Sequence, residues 1–224
     1  EDTSTIRAVD AGGTITITGT NQVVINGMIE TVREDQTIKI TSDQGQVLVT
    51  ESGGRIYTAG QLDINGVDLL LEGEIKSTFV SVTTTPEIRL SSVGSIRLNS
   101  NLTASGDLHI DFGQALSLEG SAIKAGGMTV TGDDMIVGGT TLTSGATIDA
   151  GTGLTATLLG DLVLNAGGVI TSSAANSQIV VDAVNATVAG AIHAGARIDA
   201  GTAVANSNGG DVTLTTSNTL RLGG

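Results

Sequence analysis

The chain of 224 residues contains no cysteine, no tryptophan, one proline (Pro86) and only three aromatic rings, Tyr57, Phe79 and Phe112. Without cysteine there can be no disulfide and no thiolate metal site, and the redox compartment is left open. The shortage of rings argues against a rounded globular core, which draws much of its buried area from aromatics, and favours a narrow interior of Val, Ile, Leu and Ala. One proline beside 32 glycines excludes both a collagen-like helix and a proline-rich linker, and suits many tight turns between hydrogen-bonded strands. Basic residues are also scarce: 10 Lys and Arg face 23 Asp and Glu, a net charge of −13. That balance argues against nucleic acid and against adsorption to anionic membranes, and its expected role is to keep a repetitive β-protein soluble. No run of about 18 apolar residues is present to insert into a bilayer. The sequence opens at Glu1 without a basic and apolar leader, so any secretion signal is expected to have been removed or to lie outside it.

What is present is repetition. LHID (Leu108–Asp111), MTVT (Met128–Thr131), ATID (Ala146–Asp149), LVLN (Leu162–Asn165), IVVD (Ile179–Asp182), ARID (Ala196–Asp199) and VTLT (Val212–Thr215) share one pattern. Measured at the third residue of each, the spacings are 20, 18, 16, 17, 17 and 16, the period of a solenoid. The first and third residues are mostly apolar and the second is free, which is strand alternation: Leu108 and Ile110 point inward, His109 outward. The fourth residue is Asp, Asn or Thr, often followed by Gly or Ala, and these are turn formers. The expected stack pairs each copy in parallel with the next, aligning the third residues into one inward row.

A second set of short apolar segments lies between the first: Leu116–Leu118, Met135–Val137, Ala156–Leu158, Ala186–Val188 and Leu220–Leu222. Ala122–Lys124 and Ala191–His193 point to a third strand per coil. The N-terminal half continues less regularly, through Thr14–Ile17, Val23–Ile25, Thr37–Ile40, Val47–Val49, Leu62–Ile64, Leu69–Leu71 and Ile88–Leu90. It is more charged, with 15 acidic and 7 basic residues before position 113 against 8 and 3 after it. The expectation is an all-β chain, a single parallel β-helix over residues 1–224. It would have about 11 coils of roughly 16–24 residues, less regular over 1–105 and regular over 106–224.

Candidate chemistry is sparse. His109 and His193 are the only histidines, and neither adjoins a carboxylate pair or a serine elbow, so both are expected to be surface residues. Asp133 and Asp134 sit in a GDDM turn, where adjacent side chains point apart, and are expected to serve the turn. Among the fourth-position residues, Asp182 and Asp199 would stack on successive coils roughly 5 Å apart. Like charges that close repel, and a bound Ca²⁺ would relieve them, which makes this pair the one candidate cation site. The glycine-rich calcium β-roll signature is absent, however, and Thr and Asn interrupt the row. The Thr-x-Thr pairs Thr14/Thr16, Thr129/Thr131, Thr141/Thr143 and Thr213/Thr215 suit a lattice-matching hydroxyl array in form, but they skip coils and are read as β-branched strand residues. No cluster of carboxylates with an aromatic platform marks a polysaccharide-cleaving enzyme.

The segments SGDLHIDFGQALSLEGSAIKAGGMTVTG and LLGDLVLNAGGVITSSAANSQIVVDA, with their G-D-L-x-[IL]-x and A-G-G elements, resemble the shaft repeats of filamentous-haemagglutinin-type exoproteins. The resemblance covers Ser105–Gly224 well and the N-terminal half loosely. It implies a right-handed β-helix, secreted by a Gram-negative bacterium and displayed extracellularly or at the cell surface as an adhesin or biofilm-matrix fibre. The Asn-Pro-Asn-Gly element of that family's secretion module is missing, and Pro86 lies in TTTPEIRL instead, so the chain matches shaft rather than secretion module. Three functions are therefore expected in order: a structural segment of such a fibre, a filament subunit docking head to tail through its end coils, and a polysaccharide-active β-helix. The expected partners are flanking coils or identical subunits, with host or matrix glycans as candidate ligands.

Overall fold

A computed structural model describes residues 4–77, 86–139, 145–194 and 210–223, and among them every regular element is a β-strand. The strands pair in parallel throughout. They stack in three rows, and each trip of the chain through the three makes one rung. The first rung holds Thr5–Ala8 in row A, Thr14–Gly19 in row B and Gln22–Ile25 in row C. Row A runs on through Met28–Thr31, Arg55–Thr58, Glu74–Ser77 and so to Ala191–Ala194, nine strands in all among the described residues. Rows B and C join into one sheet because Gln178–Val188 and Asp211–Leu222 each run unbroken through both.

The solenoid class expected from the repeat is the observed one, and so is the three-strand coil, with Ala122–Ala125 and Ala191–Ala194 in row A. The coil count is different: nine rungs are described, not about 11. Three strands and three turns take about as much chain as the widest spacing between motif copies, and in several rungs more. One rung carries the chain from Leu108 to Met128, and a longer one from Leu62 to Ile88. The seven motif copies also do not form one row. LHID, MTVT, IVVD and VTLT belong to row B, but ATID lies in row A and LVLN in row C. In row B, Val130 is followed by Ala156 rather than by Ile148. ARID lies outside the described residues. The reason is that apolar-x-apolar-turn is the grammar of any short half-buried strand, so the motif marks a strand without saying which row it joins.

Register sorts the apolar residues into columns. Row A carries Ile29, Ile56, Ile75, Leu102, Ile123, Ile148 and Ile170 one above another. Row B stacks Ile38, Leu62, Ile88, Leu108, Met128, Leu154 and Ile179, and row C stacks Val47, Leu69, Ile96, Leu116, Met135 and Leu162. All are at most 4% exposed, so the expected inward register is correct. Burying each such side chain contributes about 1.5–3 kcal/mol, offset by the entropy of ordering the chain. The one ring among the described core residues, Phe112, fits because the next rung places Gly132 against it, where a Cβ would collide with the ring.

Candidate functional site

The outward residues of row B stack into columns as strictly as the inward ones, and here the chemistry varies. Lys39, Asp63, Arg89 and His109 follow one another on successive rungs, with charge alternating over the first three before the column becomes hydroxyl at Thr129 and Thr155. Glu87, just before the Ile88–Ser92 strand, collects two of these groups. Its Oε1 lies 2.9 Å from Arg89 Nη2 and 2.9 Å from His109 Nε2. The hydrogen bond and charge of Glu87 raise the Arg89 pKa above its ordinary value. His109 is thus half-exposed as expected but not isolated, because stacking supplies a carboxylate from the preceding rung that local sequence does not show. Partners this exposed are screened by solvent and add little to stability.

Beside this cluster the sheet face is notched. The outward column at the start of the row B strands reads Asp107, Gly127, Gly153 and Gln178 on four consecutive rungs. Two adjacent glycines remove the side chains that fill this column elsewhere, as Thr37 and Gln61 do. The result is a groove of about 400 Å³, walled by Asp107 and His109 at one end and by Asn176 and Gln178 at the other, with Thr129, Thr152 and Thr155 along it. The Asp107 and Thr152 side chains lean over Gly127: their Oδ1 and Oγ1 atoms lie 2.9 and 3.0 Å from where a Cβ at that glycine would stand. Sequence reasoning missed the groove. The signal is a glycine at the same strand position on two successive rungs, legible only once the rungs are in register.

The other expected residues fall as follows. Asp134 Oδ1 accepts the Asp161 backbone N–H at 2.7 Å, Asp161 Oδ1 accepts from Asn185 Nδ2 at 2.6 Å, and Asn185 Oδ1 accepts from Asn218 Nδ2 at 2.9 Å. This is turn chemistry continued as a ladder along the corner between rows B and C. Asp133 and Asp134 do not point apart, however: both carboxylates cover Gly160, where any Cβ would meet them. Asp182 does not stack on a second carboxylate. Its register partners are Thr157 on one side and Thr215 on the other, and Asp199 lies outside the described residues. Row B passes from Gln178–Val188 to Asp211–Leu222, so the next described residue stacked on Asp182 is a hydroxyl and not the carboxylate that a Ca²⁺ pair with Asp199 would need. Among the described residues no group of three or more His, Asp or Glu is placed to hold a metal ion.

The Thr-x-Thr pairs do not all skip rungs. Thr129 and Thr131 stack directly on Thr155 and Thr157, giving four hydroxyl-bearing side chains on two rungs before Val180 and Asp182 end the array. Thr141 and Thr143 lie outside the described residues. On row A, Tyr57 Oη donates to Glu74 Oε2 at 2.6 Å, and this hydrogen bond, with some burial and the Glu74 charge, pushes the phenol pKa up. No family model, no curated protein and no solved structure matches this chain.

Proposed function

We propose that this chain is a structural, non-catalytic segment of an extracellular bacterial fibre or adhesin, displayed by a Gram-negative cell. It would supply reach and stiffness for surface attachment or a biofilm matrix. The observation that carries this reading is the stack of three parallel rows over nine rungs. Bending such a stack separates ladder hydrogen bonds and apolar columns together, so it resists bending along its whole length. At the usual strand spacing the rungs span about 38 Å from first to last. The location comes from the resemblance of the Ser105–Gly224 repeats to exoprotein shafts. In the longer protein the neighbours would be further coils, and the outward columns would meet host or matrix glycans. Electron microscopy and solution scattering of the purified chain are expected to give short rods of that length. A compact envelope, or turnover of acidic polysaccharides above background, overturns the reading.

A second reading is supported by the end rungs. Val212, Leu220 and Leu222 on the last described rung are 46%, 45% and 71% exposed, and Ile6 on the first is 50% exposed. Apolar strands whose outer edges find no partner among the described residues template pairing, and a second copy would place its first rung on the last rung of its neighbour. Filaments that lengthen with protein concentration support this reading. Isolated rods at all concentrations exclude it.

A further inference from the structure

We propose that the glycine-floored groove on row B is a binding subsite for a neutral or amine-bearing oligosaccharide. The inference stands apart from the shaft reading, since a groove can bind whatever the rod is part of. The backbone N–H and C=O groups of row B are consumed by the ladders on either side. A ligand lying on this face must therefore be recognised by side chains, which disfavours an extended peptide pairing through its main chain. The side chains provided are a carboxylate, hydroxyls and an amide. Asp107, Thr155 and Gln178 make no side-chain hydrogen bond among the described residues, so their full capacity faces the groove.

The Asp107 Oδ1 and Thr152 Oγ1 atoms lie 2.9 and 3.0 Å from the place a Cβ at Gly127 would take, so the two oxygens close over that glycine and stand side by side at the groove wall. Thr152 Oγ1 already donates its proton to the Gly126 carbonyl at 2.9 Å, so both oxygens offer themselves as acceptors to the O–H or N–H groups of a sugar ring. Beyond these two side chains the floor at Gly153 is bare backbone, on which the C–H face of a ring can lie without an aromatic platform. From Asp107 to Gln178 the groove crosses three strand spacings, about 14 Å, which is room for more than one ring. Charge sets the class: His109 is engaged by Glu87, so Asp107 is left unneutralised beside the groove and disfavours sulfated, phosphorylated or uronic acid ligands.

The test is binding of the intact chain to three immobilised probes: a neutral β-linked gluco-oligosaccharide, a chitosan oligomer and an oligogalacturonate. Retention on the first or second is expected, with affinity lowered at least about tenfold by Asp107→Ala, the loss of one charge-assisted hydrogen bond. Gly127→Val, which fills the floor, is expected to abolish retention. Gly127 is chosen because Gly153 holds a positive φ of 149° that a side chain would strain. If circular dichroism shows Gly127→Val misfolded, Gln178→Ala at the far wall takes its place with an expected loss of about threefold or more. Thr16→Ala, on the first rung, should bind like the parent. Failure to retain the first two probes, retention of oligogalacturonate alone, or undiminished binding by both Asp107→Ala and Gln178→Ala overturns the proposal. Rods seen by microscopy without saccharide binding would defeat this site and leave the shaft reading intact.

Discussion

The strands Gln178–Val188 and Asp211–Leu222 are direct neighbours in register, and their residues alternate in the same way. Yet Ile179 and Val181 are 0% and 1% exposed, whereas Val212, the partner of Ile179, is 46% exposed. The same apolar-x-apolar pattern is core in one rung and surface in the next. Burial in a solenoid is conferred by the rung above, and a strand cannot bury itself. A second contrast runs across the sheet rather than along it. The inward columns repeat one chemistry from rung to rung, while the outward column changes from ion pairs at Arg89 and His109 to hydroxyls at Thr129 and Thr155. Stacking constrains the inside alone, so the outside is where specificity can be written.

The contrast between inside and outside is broken most severely by charge. Ile148→Asp or Leu164→Asp buries an unpaired carboxylate between rungs and is expected to cost about 4 kcal/mol or more, measured by denaturant unfolding. Thr147→Asp, next to Ile148 but facing water, should fall within about 0.5 kcal/mol of the parent. Equal losses would mean that the strand faces are exchanged. A mid-sized effect is expected from Gly132→Ala, whose methyl group would push on the Phe112 ring, at about 2 kcal/mol. Phe112→Leu in the same chain should recover part of that loss, and strict additivity in the double variant would show that the two do not touch.

The contrast between middle and end rungs is sharpened by Val212→Asp, which should cost less than about 1 kcal/mol because this position is already half in water. A loss matching Ile148→Asp would indicate that another surface covers the last rung in solution. The smallest effect concerns Tyr57. Its pKa is raised above the ordinary 10.0 of a phenol by donation to Glu74, so its contribution is fully present below that value and is lost as pH rises through the folded-state pKa. Tyr57→Phe should therefore be slightly less stable than the parent at neutral pH and unfold with a flatter alkaline limb, the two curves converging above the folded-state pKa. A limb as steep as the parent's would place the alkaline loss elsewhere.

Much of the fold was legible because it follows from strand alternation. Leu108, Ile110, Met128 and Val130 could be placed inward from their spacing and composition, and each is buried. The outward exposure of Thr147 and the turn role of Asp134 followed from the same rules. The allocation of strands to rows was not legible. Ile148 and Leu164 carry the motif of Ile110 but stand in rows A and C, since nothing in so short a strand encodes which neighbour it will meet. The error at Asp182 has the same source: its partners, Thr157 and Thr215, belong to the preceding and following rungs and lie far from it along the chain.

The candidate groove was less legible still, because Gly127 and Gly153 become one floor only after the chain has completed a full rung and returned to the same column. The amino-acid sequence alone determined that the chain forms short parallel-stacking strands, which faces they bury and that their interior excludes most rings, because side-chain alternation and turn chemistry are local. Only the tertiary structure decided how many strands make a rung, which outward residues become neighbours and where the surface is notched. These depend on register between segments separated by a whole rung, and the variable length of the turns sets that register.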